Sequence, residues 1–190
     1  MTRICILQAH PDPGQQHFCH VLAEAYAREA ENHGGIIDLR DLGSVHLDPM
    51  VEPALVNHPV EAEIRSLQNA IRGAAHLVII FPVWFATMPA KTKAVLEHIG
   101  RHDFAFSTRR NAFPEPHLSG RSARIIVTMS TPDWVYHLTQ RGSATSWLAR
   151  PVLGYAGFKP VRTTVLGSID RPQARKRALE KVEALGRRLA

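Results

Sequence analysis

The sequence predicts an open α/β fold in which five parallel strands, covered by helices on both faces, run in the order 2-1-3-4-5. Three observations carry it. Five short apolar runs alternate with segments of helical periodicity along the 190 residues. The first, third and fourth runs are apolar at nearly every position, as strands covered on both faces should be, while the second and fifth are diluted with polar residues and belong at the edges. The chain also breaks sharply after the first and third runs, at His10-Pro-Asp-Pro-Gly14 and between Pro82 and Pro89, where strand gives way to helix.

Taken in order, Arg3 to Ala9 is the first strand, and the helix after it carries Phe18, Val21, Leu22 and Ala25 on one face and ends near His33-Gly34-Gly35. Ile36 to Asp41 is the second strand, and Gly43 to Pro59 reads as a loop. Val60, Ile64, Leu67 and Ile71 mark a second helix, and His76 to Phe81 the third strand. The helix opened by Pro89 ends at Gly100. Arg101 to Gly120 is a long connection carrying Phe104, Phe106 and Phe113. Arg124 to Met129 is the fourth strand, Ser130 to Tyr136 a loop, Ser143 to Gly157 holds a fourth helix, and Val161 to Leu166 is the fifth strand.

The length fits one domain, residues 1–190, and an apolar content of 45% with 21% charged residues is ordinary for a soluble protein. No apolar run is long enough to span a bilayer and no signal-type segment opens the chain, so a cytoplasmic protein without membrane insertion is expected. Cys5 and Cys19 read as two buried thiols. The net charge of +6 is concentrated between Arg171 and Ala190, where seven basic residues face two acidic ones. Ala178, Val182, Leu185 and Leu189 recur at helical steps there, so this is an amphipathic terminal helix with a solvated basic face, and nucleic acid is not an expected partner.

In the predicted strand order, a ligand crevice opens between the first and third strands, and the loops after strands one, three and four converge on it. The second of these loops carries Trp84 and Phe85 side by side, as a wall for a flat ligand or as a cap on the core. The first leads into a helix N-terminus, a place suited to phosphate. Metal binding is not expected. His17 with His20, and His98 with His102 beside Asp103, have ligand-type spacing but lack a third and fourth ligand close by. The chain has no Gly-x-Gly-x-x-Gly dinucleotide fingerprint, no phosphate loop and no nucleophile elbow.

The run from Phe81 to Leu96 resembles the strand–loop–helix segment of flavodoxin-like NAD(P)H:quinone oxidoreductases, whose relatives include ancillary flavoproteins of potassium-efflux systems. The shared pattern is an aromatic-Pro-aliphatic stretch, adjacent aromatics, a small residue, an apolar residue, then Pro-Ala and a Lys. The resemblance implies a flavodoxin-like domain that binds flavin through Pro82, Val83, Trp84, Phe85 and Ala86 of this loop. It implies phosphate contacts from His10, His17, Phe18 and Cys19, where His17 and Cys19 replace a Ser and an Asn of the family pattern. Ser130, Thr131, Pro132 and Asp133 stand in its third loop, with Pro132 and Asp133 in place of glycines. Tyr136 is the implied catalytic residue, a hydrogen-bond donor to the reduced ring or the substrate. Phe104, Phe106 and Trp134 fall where the family lines its substrate side, with core packing as the competing reading for all three.

The function implied is a homodimeric oxidoreductase in which NAD(P)H passes a hydride to the flavin, leaves, and is replaced by a quinone-type acceptor. The chain length and a first loop poor in adenine-side signals favour FMN over FAD. Two alternatives stand beside it. One is a flavin-binding ancillary subunit of a potassium-efflux transporter, the other a flavodoxin-like protein that no longer binds flavin.

Overall fold

The structure, a computed structural model, describes residues 1–47, 60–101, 104–107 and 115–189. Its elements are β1 (Arg3–Gln8), α1 (Phe18–Asn32), β2 (Ile36–Asp41), α2 (Ala62–Gly73), β3 (His76–Pro82), α3 (Ala90–Ile99), β4 (Phe106–Ser107), β5 (Glu115–Pro116), β6 (Ser122–Thr128), α4 (Asp133–Gln140), α5 (Ser143–Trp147), a π-helical segment Leu148–Gly154, β7 (Val161–Leu166) and α6 (Pro172–Arg187). Most of the predicted Gly43–Pro59 loop, together with His102, Asp103 and Phe113, lies outside the described residues.

The main sheet runs β2-β1-β3-β6-β7, all parallel. Counting only its own strands, this is the predicted 2-1-3-4-5. The physical reason holds strand by strand. Every residue of β3 is buried, as are five of the six in β1 and six of the seven in β6. β2 has no fully buried residue, and β7 has only two. Parallel strands need crossovers, and the helices those crossovers carry cover both faces. One core lies under α2, α3 and the α5–π segment, around Leu7, Leu77, Ile79, Ile125 and Tyr136. The other lies under α1 and α6, around Ile6, Val78, Ile80, Leu22 and Val182.

Three expectations are corrected. The predicted loop Ser130–Tyr136 is a loop only to Pro132, because α4 begins at Asp133, after a proline and with the acidic residue in its first turn. The predicted single helix within Ser143–Gly157 divides into α5 and a π-helical turn that contains Pro151, whose missing N–H cannot join an α-helical ladder. Of the predicted inward residues of α1, Leu22 and Ala25 are buried while Phe18 and Val21 are only half-buried, and Cys19, Ala23, Tyr26, Ala27 and Ala30 are buried with them.

Where α1 crosses α6 the backbones nearly touch. A Cβ on Gly186 would stand 2.6 Å from the Tyr26 carbonyl oxygen and 3.0 Å from Glu29 Cβ. Ion pairs flank this contact, Arg28–Glu183 at 2.9 Å and Arg187–Glu29 at 2.7 Å.

Candidate functional site

Parallel strands all deliver their loops to one end of the sheet, so the loops after β1, β3 and β6 meet at its carboxyl edge. The first loop is tied by its own side chains. The His10 ring nitrogen Nδ1 accepts from the Asp12 N–H at 3.2 Å, and Asp12 Oδ1 accepts from the Gly14 N–H at 2.8 Å. Asp12 Oδ2 lies 2.8 Å from His17 Nε2, and the His17 ring stacks on that of His10 with centroids 3.7 Å apart. At the start of α1, the His17 N–H donates to His20 Nδ1 at 3.1 Å. His20 Nε2 stands 4.0 Å from Asp41 Oδ2. Three imidazoles and two carboxylates therefore gather where the helix presents the free N–H groups of its first turn.

The charges divide by environment. Burial pushes the His10 pKa below its ordinary value, and the neighbouring His17 and His20 push it the same way, so His10 is held neutral. The His17 hydrogen bond holds the Asp12 carboxyl below its usual range, so Asp12 keeps its negative charge. His17 can offer a ring N–H to an anion, but only in competition with Asp12.

The second loop is a tight hairpin-like turn. Pro82 closes β3 and is buried, and the Val83 N–H donates to the Thr128 carbonyl at 2.8 Å. Trp84 and Thr87 then exchange backbone hydrogen bonds of 2.8 and 3.0 Å around Phe85 (φ 48°) and Ala86 (φ 64°). Two successive positive φ angles define the kind of turn that normally takes Asn-Gly. In residues with a Cβ each costs about 1–2 kcal/mol. Something must hold the turn, and the Ser143 hydroxyl at the start of α5 does so, donating to the Ala86 carbonyl at 2.8 Å. Phe85 projects fully into solvent, Trp84 is 46% exposed, and the Trp84 ring meets His10 edge-on at 5.8 Å. The first turn of α3 stitches the loops from below. Thr92 donates to the Ala9 carbonyl at 2.7 Å, and Lys91 donates to the Gly43 carbonyl.

In the third loop Ser130 and Thr131 are exposed, Pro132 is half-buried and Asp133 is exposed at the head of α4. The Thr131 carbonyl accepts from the Ser168 N–H at 3.2 Å, which fastens this loop to the one after β7. His10, His17, Phe18, Pro82–Ala86 and Ser130–Asp133 are thus gathered on the three loops at one edge of the sheet.

Three of the expected site residues are placed elsewhere. Cys19 is 2% exposed on the inner face of α1, with its Sγ 3.4 Å from Thr128 Oγ1, and burial pushes its thiol up to about 11. Its side chain is core. Phe104 is 3% exposed in the α2–α3 core with the Arg72 guanidinium 5.0 Å above its ring, so core packing is the outcome there. Tyr136 is 1% exposed, and its hydroxyl accepts from the Ala144 N–H at 2.9 Å. That buried hydroxyl joins α4 to α5. Tyr136→Phe should therefore lower stability by about 1–2 kcal/mol, because it leaves the buried Ala144 N–H without its acceptor. Denaturant midpoints check this, and an unchanged midpoint would contradict the structural role.

Phe106 is half-buried in the short β4–β5 ribbon, and Trp134 is 66% exposed on α4. Sequence reasoning missed Asp12, His20 and Ser143. The first two were legible as polar residues crowding a helix start. No signal marked Ser143. Among the described residues no group of His, Cys, Asp or Glu could hold a metal, and no helix is long and apolar enough to cross a membrane.

The residue pattern of the flavodoxin-like fold family matches residues 2–188. The chain belongs to that family. It is 22% identical over 181 residues to an uncharacterized NAD(P)H oxidoreductase of Haemophilus influenzae, across 92% of this chain and 89% of that one. Among solved structures it resembles an NAD(P)H:quinone oxidoreductase from Methanothermobacter marburgensis (TM-score 0.78, 19% identity, 99% of this chain and 96% of the other). It also resembles an FMN-dependent NADH-azoreductase from Bacillus anthracis in complex with FMN (TM-score 0.77, 16% identity, 100% of both chains). These two likenesses establish a shared flavodoxin-like fold over nearly the whole chain.

Proposed function

We propose that this flavodoxin-like chain is a flavin-dependent NAD(P)H oxidoreductase that reduces a quinone-type acceptor, the two substrates using one face in turn. The observation that carries the proposal is the Trp84–Thr87 turn. Two non-glycine residues are held at positive φ so that backbone and an exposed aromatic project at the sheet's carboxyl edge, beside the N-terminus of α1. Strain of that kind collects where function demands it. The names of the relatives in Haemophilus, Methanothermobacter and Bacillus point the same way.

The residues present fit a flavin. The N–H groups at the start of α1 and the His17 ring would take its phosphate, and the backbone of Val83–Ala86 would meet the ring. Trp84 and Phe85 would wall one side, and Ser130 and Thr131 would line the edge opposite the first loop. The chemistry such a flavin supplies when bound is two-electron transfer between the nicotinamide and the acceptor. What the chain supplies is placement: a turn stiffened by Ser143, a neutral His10 supporting Trp84, and a preformed anion site.

FMN is the favoured cofactor, in line with the FMN-dependent relative. Phe85, Trp134, Leu138 and Tyr155 are large apolar side chains left exposed, and we assign them to a homodimer interface next to the site. Two buried free thiols suit the cytoplasm. One observation favours a second reading, in which the chain keeps the fold but no longer binds flavin. The ionised Asp12 holds His17 at the place where a phosphate would sit.

The visible spectrum of the purified protein, after incubation with FMN or FAD and removal of excess, decides between the two. The enzyme reading expects a retained flavin band that bleaches anaerobically with NAD(P)H and returns on adding quinone. A colourless protein from both incubations would leave the second reading.

A further inference from the structure

The basic charge of α6 is sorted by face. Toward α1, Arg187 is paired with Glu29 and the Arg175 guanidinium lies 4.5 Å over the Phe18 ring. On the other side, Arg171, Arg177 and Lys181 make no ion pair with any described residue, and all three line one groove of about 510 Å³. Contacts with Glu29 and the Phe18 ring account for charge on the first face only. Leu166, Ala174 and Ala178 line the same groove, as does the carboxylate residue Asp133. That size lies within the range of small-molecule sites, and a lining that mixes apolar and cationic side chains is complementary to a purine carrying phosphate.

The groove also adjoins the third site loop, with which it shares Asp133. A Cβ on Gly167, at its mouth, would stand 2.4 Å from the Asp133 nitrogen and 2.7 Å from the Thr131 carbonyl oxygen, so only a glycine lets the β7 loop lie against the third site loop. The Ser168 N–H bond to Thr131 locks the two together, with Ser168 itself at φ 56°.

We propose that this groove binds the phosphorylated adenosine end of the nicotinamide substrate, with Arg177 and Lys181 holding its 2′-phosphate, so that the enzyme selects NADPH over NADH. Asp133 supplies the acceptor for a ribose hydroxyl or the adenine amino group. The assignment to NADPH rests on the oxidoreductase reading above, but binding of the adenosine phosphate itself does not.

The test is calorimetric titration of the full chain with adenosine 2′,5′-bisphosphate and with adenosine 5′-monophosphate, in the wild type, in Arg177→Ala/Lys181→Ala and in Arg187→Ala. The bisphosphate should bind about tenfold more tightly than the monophosphate. The double variant should lose that advantage, whereas Arg187→Ala, whose charge is paired with Glu29, should keep it. In turnover the double variant should raise KM for NADPH, leaving KM for NADH and both kcat values in place.

Equal binding of the two nucleotides, or a double variant that retains the preference, would overturn the proposal. So would a double variant that weakens FAD but not FMN, because the groove would then serve a flavin's adenosine. If no flavin binds at all, the oxidoreductase reading fails while the bisphosphate titration still reports on the groove.

Discussion

Between pH 6.5 and about 4 the protein should lose about 3 kcal/mol of stability through one side chain, His76. His76 opens β3 and is 3% exposed, with Nδ1 2.7 Å from the Ser122 hydroxyl of β6. Burial, with the Arg124 and Arg162 charges adding to it, lowers its pKa to about 4. The unfolded chain keeps the ordinary value near 6.5. Above 6.5 both states are neutral and the contribution is complete. Between the two values the unfolded state takes up a proton that the native state refuses, so stability falls as the pH drops. Below about 4 both states are protonated and the loss levels off. Urea midpoints at pH 7.5 and 4.5 measure the total change, and His76→Gln isolates this part by removing the titration. If the variant shows the same pH dependence as the wild type, the side chain is not the cause.

The second large effect concerns two helical glycines, Gly186 in α6 and Gly73 at the last residue of α2. Gly186→Val in α6 should cost about 3 kcal/mol, near the top of the range for overpacking, because its new carbons would enter the space of the Tyr26 carbonyl and Glu29 Cβ. The obstacle at Tyr26 is backbone, which cannot swing aside. Gly73→Ala in α2 should go the other way by up to about 1 kcal/mol. Its Cβ would meet nothing closer than 3.5 Å, and alanine is the better helix former. Denaturant unfolding of the pair tests whether close approach, rather than glycine content, controls the α1–α6 contact. A Gly186→Val protein as stable as the wild type would refute it.

The fold was legible because burial on two faces leaves a mark in composition. β1, β3 and β6 are apolar at most positions and buried at nearly all, β2 and β7 are not, and the strand order follows. Asp133–Tyr136, the first half of α4, reads as loop in the sequence because the pattern of that helix is inverted. Of its residues only Tyr136 is buried, while Trp134 and Leu138 point outward. A short helix whose apolar stripe faces solvent shows its period without marking a face packed on the core.

The place of the site was legible for the same reason as the fold, since topology decides which loops meet. Which side chains turn into it was not. Cys19 sits one residue into α1, and only the stripe it shares with Leu22, Ala23 and Tyr26 reveals that it faces the sheet. The charge of α6 was visible in composition, but the sorting into paired and unpaired faces depends on Glu29, which is distant in sequence.

The strand order also sets a schedule for a chain made from its N-terminus. β1 gains β2 by residue 41 and β3 by residue 82, so a three-stranded half-sheet can close early. The far edge of β3 then has no partner until Ser122–Thr128 emerges about 40 residues later. For that interval the ribosome holds an unpaired edge on a largely apolar strand, the kind of surface that pairs with neighbouring chains. The most hydrophobic element of the finished protein is therefore also the one most in need of protection during synthesis.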